Sequence, residues 1–270
     1  MSKLTFAANL TMLFGEVPLP DRFEAARSAG FATVEMQFPY DWPVDLLKRR
    51  IEREGLNVAL INLPAGDWDA GDRGLAALPG RQEEFRASVE TALAYARALD
   101  VPRMHCMAGI VPPDAARTEI RTLYLDNVAY AARRCAEEGI DILIEPINGH
   151  DVPGYFLDSF AAAAHHLAAI RARGARARLL FDIYHCARLH GDVTPWLAAL
   201  AHEIGHYQIA GAPSRHEPDI GSLPYAEILA DACHLTPGLT VGLEYRPRGR
   251  TEDGLGWLAG LSMREPVSHA

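Results

Sequence analysis

Asp141-Ile142-Leu143-Ile144-Glu145 is an apolar run closed by a carboxylate. A helical pattern over 113–138 ends on Gly139 just before it, and an alanine-rich helical pattern over 158–171 follows. So short an apolar run between two helical patterns reads as a buried strand. The same phrase returns twice, where Leu179-Leu180-Phe181 leads into Asp182 and where Val241-Gly242-Leu243 leads into Glu244.

Outward from these runs, strand and helix signals alternate along the chain. Strands are predicted over 5–9, 33–36, 57–62, 103–106, 141–145, 178–182, 206–209 and 240–244. Helices are predicted over 20–29, 43–54, 82–99, 113–138, 158–171, 194–201 and 225–233, and Gly30, Gly55 and Gly139 stand where glycine closes a helix. Eight strands separated by helices predict parallel βαβ units, and the count predicts closure. No GxGxxG or GxxxxGK[ST] motif follows the first strand, which removes the usual reason to prefer an open doubly wound sheet. The expected fold class is α/β, a single (β/α)8 TIM barrel forming one domain over 1–270. Such barrels use about 250 residues, and no linker or low-complexity tract marks a second unit.

Composition narrows the function. The chain carries 26 basic and 35 acidic residues, a net charge of −9, with no extended basic run. A phosphate-binding stripe is missing, so nucleic acid is not expected as a partner. No signal peptide and no apolar stretch of membrane-spanning length is read, which predicts a cytoplasmic protein with no membrane partner. Cys106, Cys135, Cys186 and Cys233 show no zinc-binding spacing and read as reduced core thiols, Cys106 and Cys186 being minor candidates for a nucleophile.

In a barrel the C-terminal strand ends meet at one rim, so Glu145, Asp182 and Glu244 would face a common point, with Gln208 supplying a neutral oxygen beside them. Three crowded carboxylates repel unless a cation neutralises them. Oxygen-only ligation from Glu145, Asp182, Gln208 and Glu244 suits a hard divalent ion, Mg²⁺ or Mn²⁺ with Co²⁺ as an alternative, better than zinc. Each acid taken alone reads more readily as a helix N-cap after its strand, and it is the three together that point to a site. Candidate substrate contacts are His185, three residues beyond Asp182; Arg215 and Glu217, in the loop after the seventh strand; and His105, near the end of the fourth.

At these residues the sequence resembles the hydroxypyruvate isomerase family, within the larger group of xylose isomerase-like barrels. The likeness runs from Phe6-Ala7-Ala8-Asn9-Leu10 through Ala77-Leu78-Pro79-Gly80-Arg81 and Met107-Ala108-Gly109. It is densest from Gln208-Ile209-Ala210-Gly211 to Arg215-His216-Glu217-Pro218, and closes with Glu244-Tyr245-Arg246-Pro247-Arg248-Gly249 and Gly254-Leu255-Gly256-Trp257. The resemblance implies a divalent metal on Glu145, Asp182, Gln208 and Glu244, the two glutamates acting also as acid and base. It implies a small hydroxy-carbonyl acid as substrate, either hydroxypyruvate converted to tartronate semialdehyde or a 2-oxo-tetronate, and makes a homo-oligomer an expectation. Similar ketose 3-epimerases carry histidine where Gln208 stands, and Arg246 replaces an expected lysine. Three rival readings are a ketose 3-epimerase, a metal-dependent apurinic endonuclease and a non-catalytic sugar-acid binding protein. The first would use the same enediolate, while the second would want further histidines and a basic face.

Overall fold

The computed structural model describes residues 4–262. Eight parallel strands close into a barrel in chain order. They are β1 (Thr5–Asn9), β2 (Thr33–Met36), β3 (Asn57–Asn62), β4 (Arg103–His105), β5 (Asp141–Ile144), β6 (Ala177–Asp182), β7 (Ile204–Ile209) and β8 (Thr240–Leu243), the last pairing with β1. The connecting helices are α1 (Leu19–Ser28), α2 (Val44–Glu54), α3 (Gln82–Ala98), α4 (Arg117–Ala136), α5 (Phe160–Ala172), α6 (Ile183–His190), α7 (Thr194–Leu200) and α8 (Tyr225–Leu235), with α9 (Trp257–Ser262) after the last strand. The predicted (β/α)8 barrel is the observed one.

The pleat of the strands decides what reaches the rim. Successive strand residues point to opposite faces. Ile142 and Ile144 of β5, Leu179 and Phe181 of β6, Tyr207 and Ile209 of β7, and Val241 and Leu243 of β8 all join the main apolar core beneath the helices. Each such side chain removed from water contributes roughly 1.5–3 kcal/mol. The alternate residues face inward, where Leu143 and Leu180 form a small separate cluster with Leu60. One pleat further along the same inward face come Glu145 and Asp182, and the same step leads from His206 to Gln208 and from Gly242 to Glu244. Asp182 pairs in register with Gln208, and Gln208 with Gly242.

The structure departs from the sequence reading at three helices. α6 was not predicted; β6 runs into it with no loop, because Asp182 is at once the last residue of the strand and the N-cap of the helix. α9 was not predicted either, its six residues being too few for a periodic pattern to emerge. α4 starts four residues late, at Arg117 instead of 113, because Pro112 and Pro113 and the residues after them form turns first. Gly55, at φ 61°, closes α2 in the left-handed conformation expected of a glycine cap.

Candidate active site

Ligand-capable atoms of Glu145, Asp182, His185 and Glu244 lie within 4.8 Å of one another, and all four residues are buried. Three of the predicted ligands are thus together, with Gln208 on the strand beside Asp182. The fourth member of the cluster is His185, predicted here as a substrate contact.

Asp182 carries both roles that its sequence context allowed. Its Oδ1 accepts from the backbone N–H groups of Tyr184, at 2.7 Å, and His185, at 3.4 Å, and so caps α6. Its Oδ2 has no hydrogen-bond partner. Glu145 Oε1 and Gln208 Oε1 are likewise buried and without partners, so three neighbouring strands each present one unmet oxygen. Leaving a buried acceptor unmet costs about 1–3 kcal/mol, more where it is charged. An oxygen-binding divalent cation would satisfy all three, and the donor set fits one.

Glu244 is held at both oxygens. Gln37 Nε2 donates to Oε1 at 2.6 Å, and Arg215 Nη2 donates to Oε2 at 2.5 Å. Arg215 also lies 3.9 Å from Asp182 Oδ2 and 3.6 Å from Asp151. Its backbone is left-handed at φ 58°, a conformation that costs a non-glycine residue about 1–2 kcal/mol. Two main-chain hydrogen bonds hold it there, from Arg215 N to Gly211 O at 2.7 Å and from Arg246 N to Arg215 O at 2.8 Å. Arg246 meets this loop through its backbone, its carbonyl also lying 2.8 Å from His216 Nδ1, while its side chain is exposed.

Electrostatically the cluster is a set of carboxylates short of positive charge. Burial raises Glu145 well above the usual carboxylate range, and the charges of Glu244 and Asp182 add to the effect. Asp182 is pushed up to about 7 by burial, against the lowering pull of Arg215. Burial raises Glu244 too, again opposed by Arg215. His105 Nδ1 lies 3.5 Å from Glu145 Oε2, yet burial depresses that imidazole to about 3, so the pair is a neutral ring beside an acid and not an ion pair.

His185 is neutral as well, its basicity lowered first by burial and then by Arg215. Its tautomer follows from its neighbour. Asn148 Oδ1 accepts from the N–H groups of His150 and Asp151, at 3.1 and 3.0 Å, which turns the amide nitrogen toward the ring, 2.6 Å from His185 Nδ1. Asn148 N also donates to Nδ1 at 3.4 Å. Nδ1 is therefore the acceptor and Nε2 carries the proton, facing Asp182 Oδ2 at 3.6 Å and Glu145 Oε1 at 3.8 Å. A protonated nitrogen cannot ligate a metal, so in this tautomer His185 faces the cluster with a donor.

Two predicted elements fall elsewhere. Glu217 is buried, but its Oε1 accepts from Arg248 N at 3.0 Å and packs against Gly254, so its contacts run to the loop after β8 and not to the carboxylates. Cys106 and Cys186 are buried free thiols whose acidity burial suppresses, which disposes of the nucleophile reading. Sequence reasoning missed Gln37 and Asn148. Gln37 was legible in principle, since a polar residue two positions past a charged one, Glu35, repeats the inward period of a strand. Asn148 lies in a loop, where no periodicity marks it.

The family of xylose isomerase-like TIM barrels matches residues 23–261. The chain belongs to that family. It is 46% identical over 256 residues to a 2-oxo-tetronate isomerase of Cupriavidus necator, covering 94% of this chain and 96% of that one. It is 40% identical over 255 residues to the hydroxypyruvate isomerase of Escherichia coli, covering 94% and 98%. A crystal structure described as an AP endonuclease, family 2, from Brucella melitensis superposes with a TM-score of 0.91 at 39% identity, covering 98% of this chain and all of that one. By this kinship the protein is an isomerase. Among its described residues no helix is long and apolar enough to cross a membrane.

Proposed function

We propose that this barrel isomerises a small hydroxy-carbonyl acid through an enediolate, taking hydroxypyruvate to tartronate semialdehyde or acting on a 2-oxo-tetronate. The observation that carries the reading is the convergence of Glu145, Asp182 and Glu244 at one buried point, with unmet oxygens on Glu145, Asp182 and Gln208. Glu145, Asp182, Gln208 and Glu244 would hold a divalent ion, Mg²⁺ or Mn²⁺ with Co²⁺ as an alternative, whose charge would lower the cost of an enediolate by several kcal/mol. Glu145 and Glu244 exchange the proton with the two adjacent carbons, one as base and the other as acid. Arg215, already paired with Glu244, is placed to take the substrate carboxylate, and His185 Nε2–H to donate to a substrate oxygen. His105 orients Glu145. Glu217 anchors the loop after β8 and reaches the substrate only through it.

Nucleic acid is not part of this reading, although a similar crystal structure carries an endonuclease title. The clustered residues include one histidine, whose facing nitrogen carries its proton, and the chain is acidic. With Cys106, Cys135 and Cys186 buried as thiols and a diffusible substrate, the enzyme is assigned to the cytoplasm, and a homo-oligomer fits the same reading.

Proton-exchange NMR in deuterated water with hydroxypyruvate and a 2-oxo-tetronate, with and without Mn²⁺, tests chemistry, substrate and metal dependence together. The expected result is metal-dependent exchange accompanied by migration of the carbonyl. Inversion of one centre with the carbonyl in place would make the protein an epimerase, tight binding with no exchange would make it a binding protein, and cleavage of abasic-site DNA in a parallel assay would restore the endonuclease.

A further inference from the structure

Beneath the carboxylate cluster, and outside it, lies another buried acid. Glu35 on β2 is wholly inaccessible. Its Oε1 accepts from Asn9 Nδ2 at 3.0 Å and from Gln208 Nε2 at 2.8 Å, and its Oε2 pairs with His206 Nε2 at 2.7 Å. The space it fills is made by Gly242, where an added Cβ would stand 2.3 Å from Oε2 and 2.4 Å from Oε1. An acid so deep in a barrel is expensive, and three side chains from two other strands, β1 and β7, are spent on keeping it.

The chemistry of an amide says what that cost secures. A glutamine side chain has an accepting end and a donating end of nearly equal size, and a half-turn exchanges them. Beside the buried acids Glu145, Asp182 and Glu244, electrostatics alone would turn the NH₂ end of Gln208 inward, where it would donate to a carboxylate and repel a cation. Glu35 reverses that preference. Its Oε1 already accepts from Asn9 Nδ2, so Gln208 meets that oxygen with NH₂ and not with oxygen. The amide oxygen is then left on the other side, where it is buried and unpartnered.

We infer that Glu35 is a positioning residue which, through Gln208, fixes the orientation of a neutral oxygen donor and so makes the cluster competent for a divalent cation. The inference rests on the metal reading above. Outer partners of this kind change metal affinity by about 10–100-fold when removed.

The test compares wild type, Glu35→Gln, Gln208→Glu and the double variant Glu35→Gln/Gln208→Glu by calorimetric titration of the metal-free proteins with Mn²⁺. Glu35→Gln should weaken Mn²⁺ binding at least tenfold, since a glutamine at 35 can donate and lets Gln208 flip. Gln208→Glu alone sets two acids against each other and should also weaken it. In the double variant the new carboxylate has two equivalent oxygens and cannot present the wrong end, so affinity should recover at least fivefold over Glu35→Gln. A residue that merely packs the barrel predicts no such recovery, and unchanged Mn²⁺ affinity in Glu35→Gln, or a double variant no tighter than the weaker single, overturns the inference. A second arm needs no variant to fold. In metal-free wild type the side-chain NH₂ of Gln208 should be protected from solvent exchange and hydrogen-bonded to a carboxylate by NMR, and a rapidly exchanging Gln208 amide overturns the inference. Failure of wild type itself to take up Mn²⁺ would instead strike the metal reading, while the NMR arm still decides the amide's orientation.

Discussion

The two glutamates assigned the acid–base chemistry sit in different surroundings. Glu145 keeps Oε1 free while His105 stands 3.5 Å from Oε2, whereas both oxygens of Glu244 are bound, by Gln37 and Arg215. Replacing either glutamate by glutamine keeps the volume and removes the acid–base function, so turnover should fall by about 10²–10⁴-fold with the circular dichroism spectrum unchanged. Substantial activity in either variant would remove that residue from the proton relay. Asp182 gives a pH prediction. Burial raises it from an ordinary 3.8 to about 7 in the metal-free protein. Between those values the unfolded chain has lost the proton and the folded one keeps it, so the stability from a neutral Asp182 is whole below about pH 4 and is lost as pH rises through 7. A bound cation needs the ionised carboxylates and opposes that trend. Melting temperatures from pH 5 to 8 should therefore fall for the metal-free protein, while the increment from Mn²⁺ grows, and an increment that shrinks with pH would contradict the ligand assignment.

At the scale of elements, the strand of a barrel delivers a functional group and the helix after it fixes that group's direction. β6 and α6 share Asp182, which ends one and caps the other, so a single side chain joins the stability of the helix to the geometry of the site. The two contributions separate by substitution. Asn is as good a cap as Asp, and Asp182→Asn should leave the metal-free melting temperature close to wild type while abolishing metal uptake. Asp182→Ala should lose the metal as well and a further ~0.5–2 kcal/mol of stability for the cap. Equal destabilisation by the two would mean that Oδ1 caps nothing. This shared residue also explains what was legible. Strands five, six and eight announced themselves because an apolar run stopped at an acid, but α6 starts on that acid with no intervening loop, and its onset looked like the end of a strand. Gln208 was found as a polar residue on β7, whereas its dependence on Glu35, 173 residues away, could not be read from either neighbourhood. Loop residues such as Asn148 carry no period, so the tautomer of His185 became visible only with coordinates.

On the scale of the whole molecule, the site sits one pleat above the barrel's packed interior, and this sets how the protein should answer to loss of its ion. Leu60, Leu143 and Leu180 fill the interior below, and the main core beneath the helices is built from the outward faces of the same strands. None of that packing passes through the carboxylates. A zinc finger unfolds without its metal because the metal is its core; here the ion would join a barrel that is already closed. Chelation should then abolish turnover and leave the far-ultraviolet spectrum unchanged, with activity returning on addition of Mn²⁺. The thermal penalty is set by mass action, about 2.7 kcal/mol for an ion present at a hundredfold its dissociation constant. In a chain of this size that corresponds to a fall of roughly 5–11 °C in melting temperature. Global unfolding on chelation would show that the carboxylate cluster needs the ion to hold the barrel together, whereas full activity after exhaustive chelation would leave Glu145, Asp182 and Glu244 with no cation to explain their convergence.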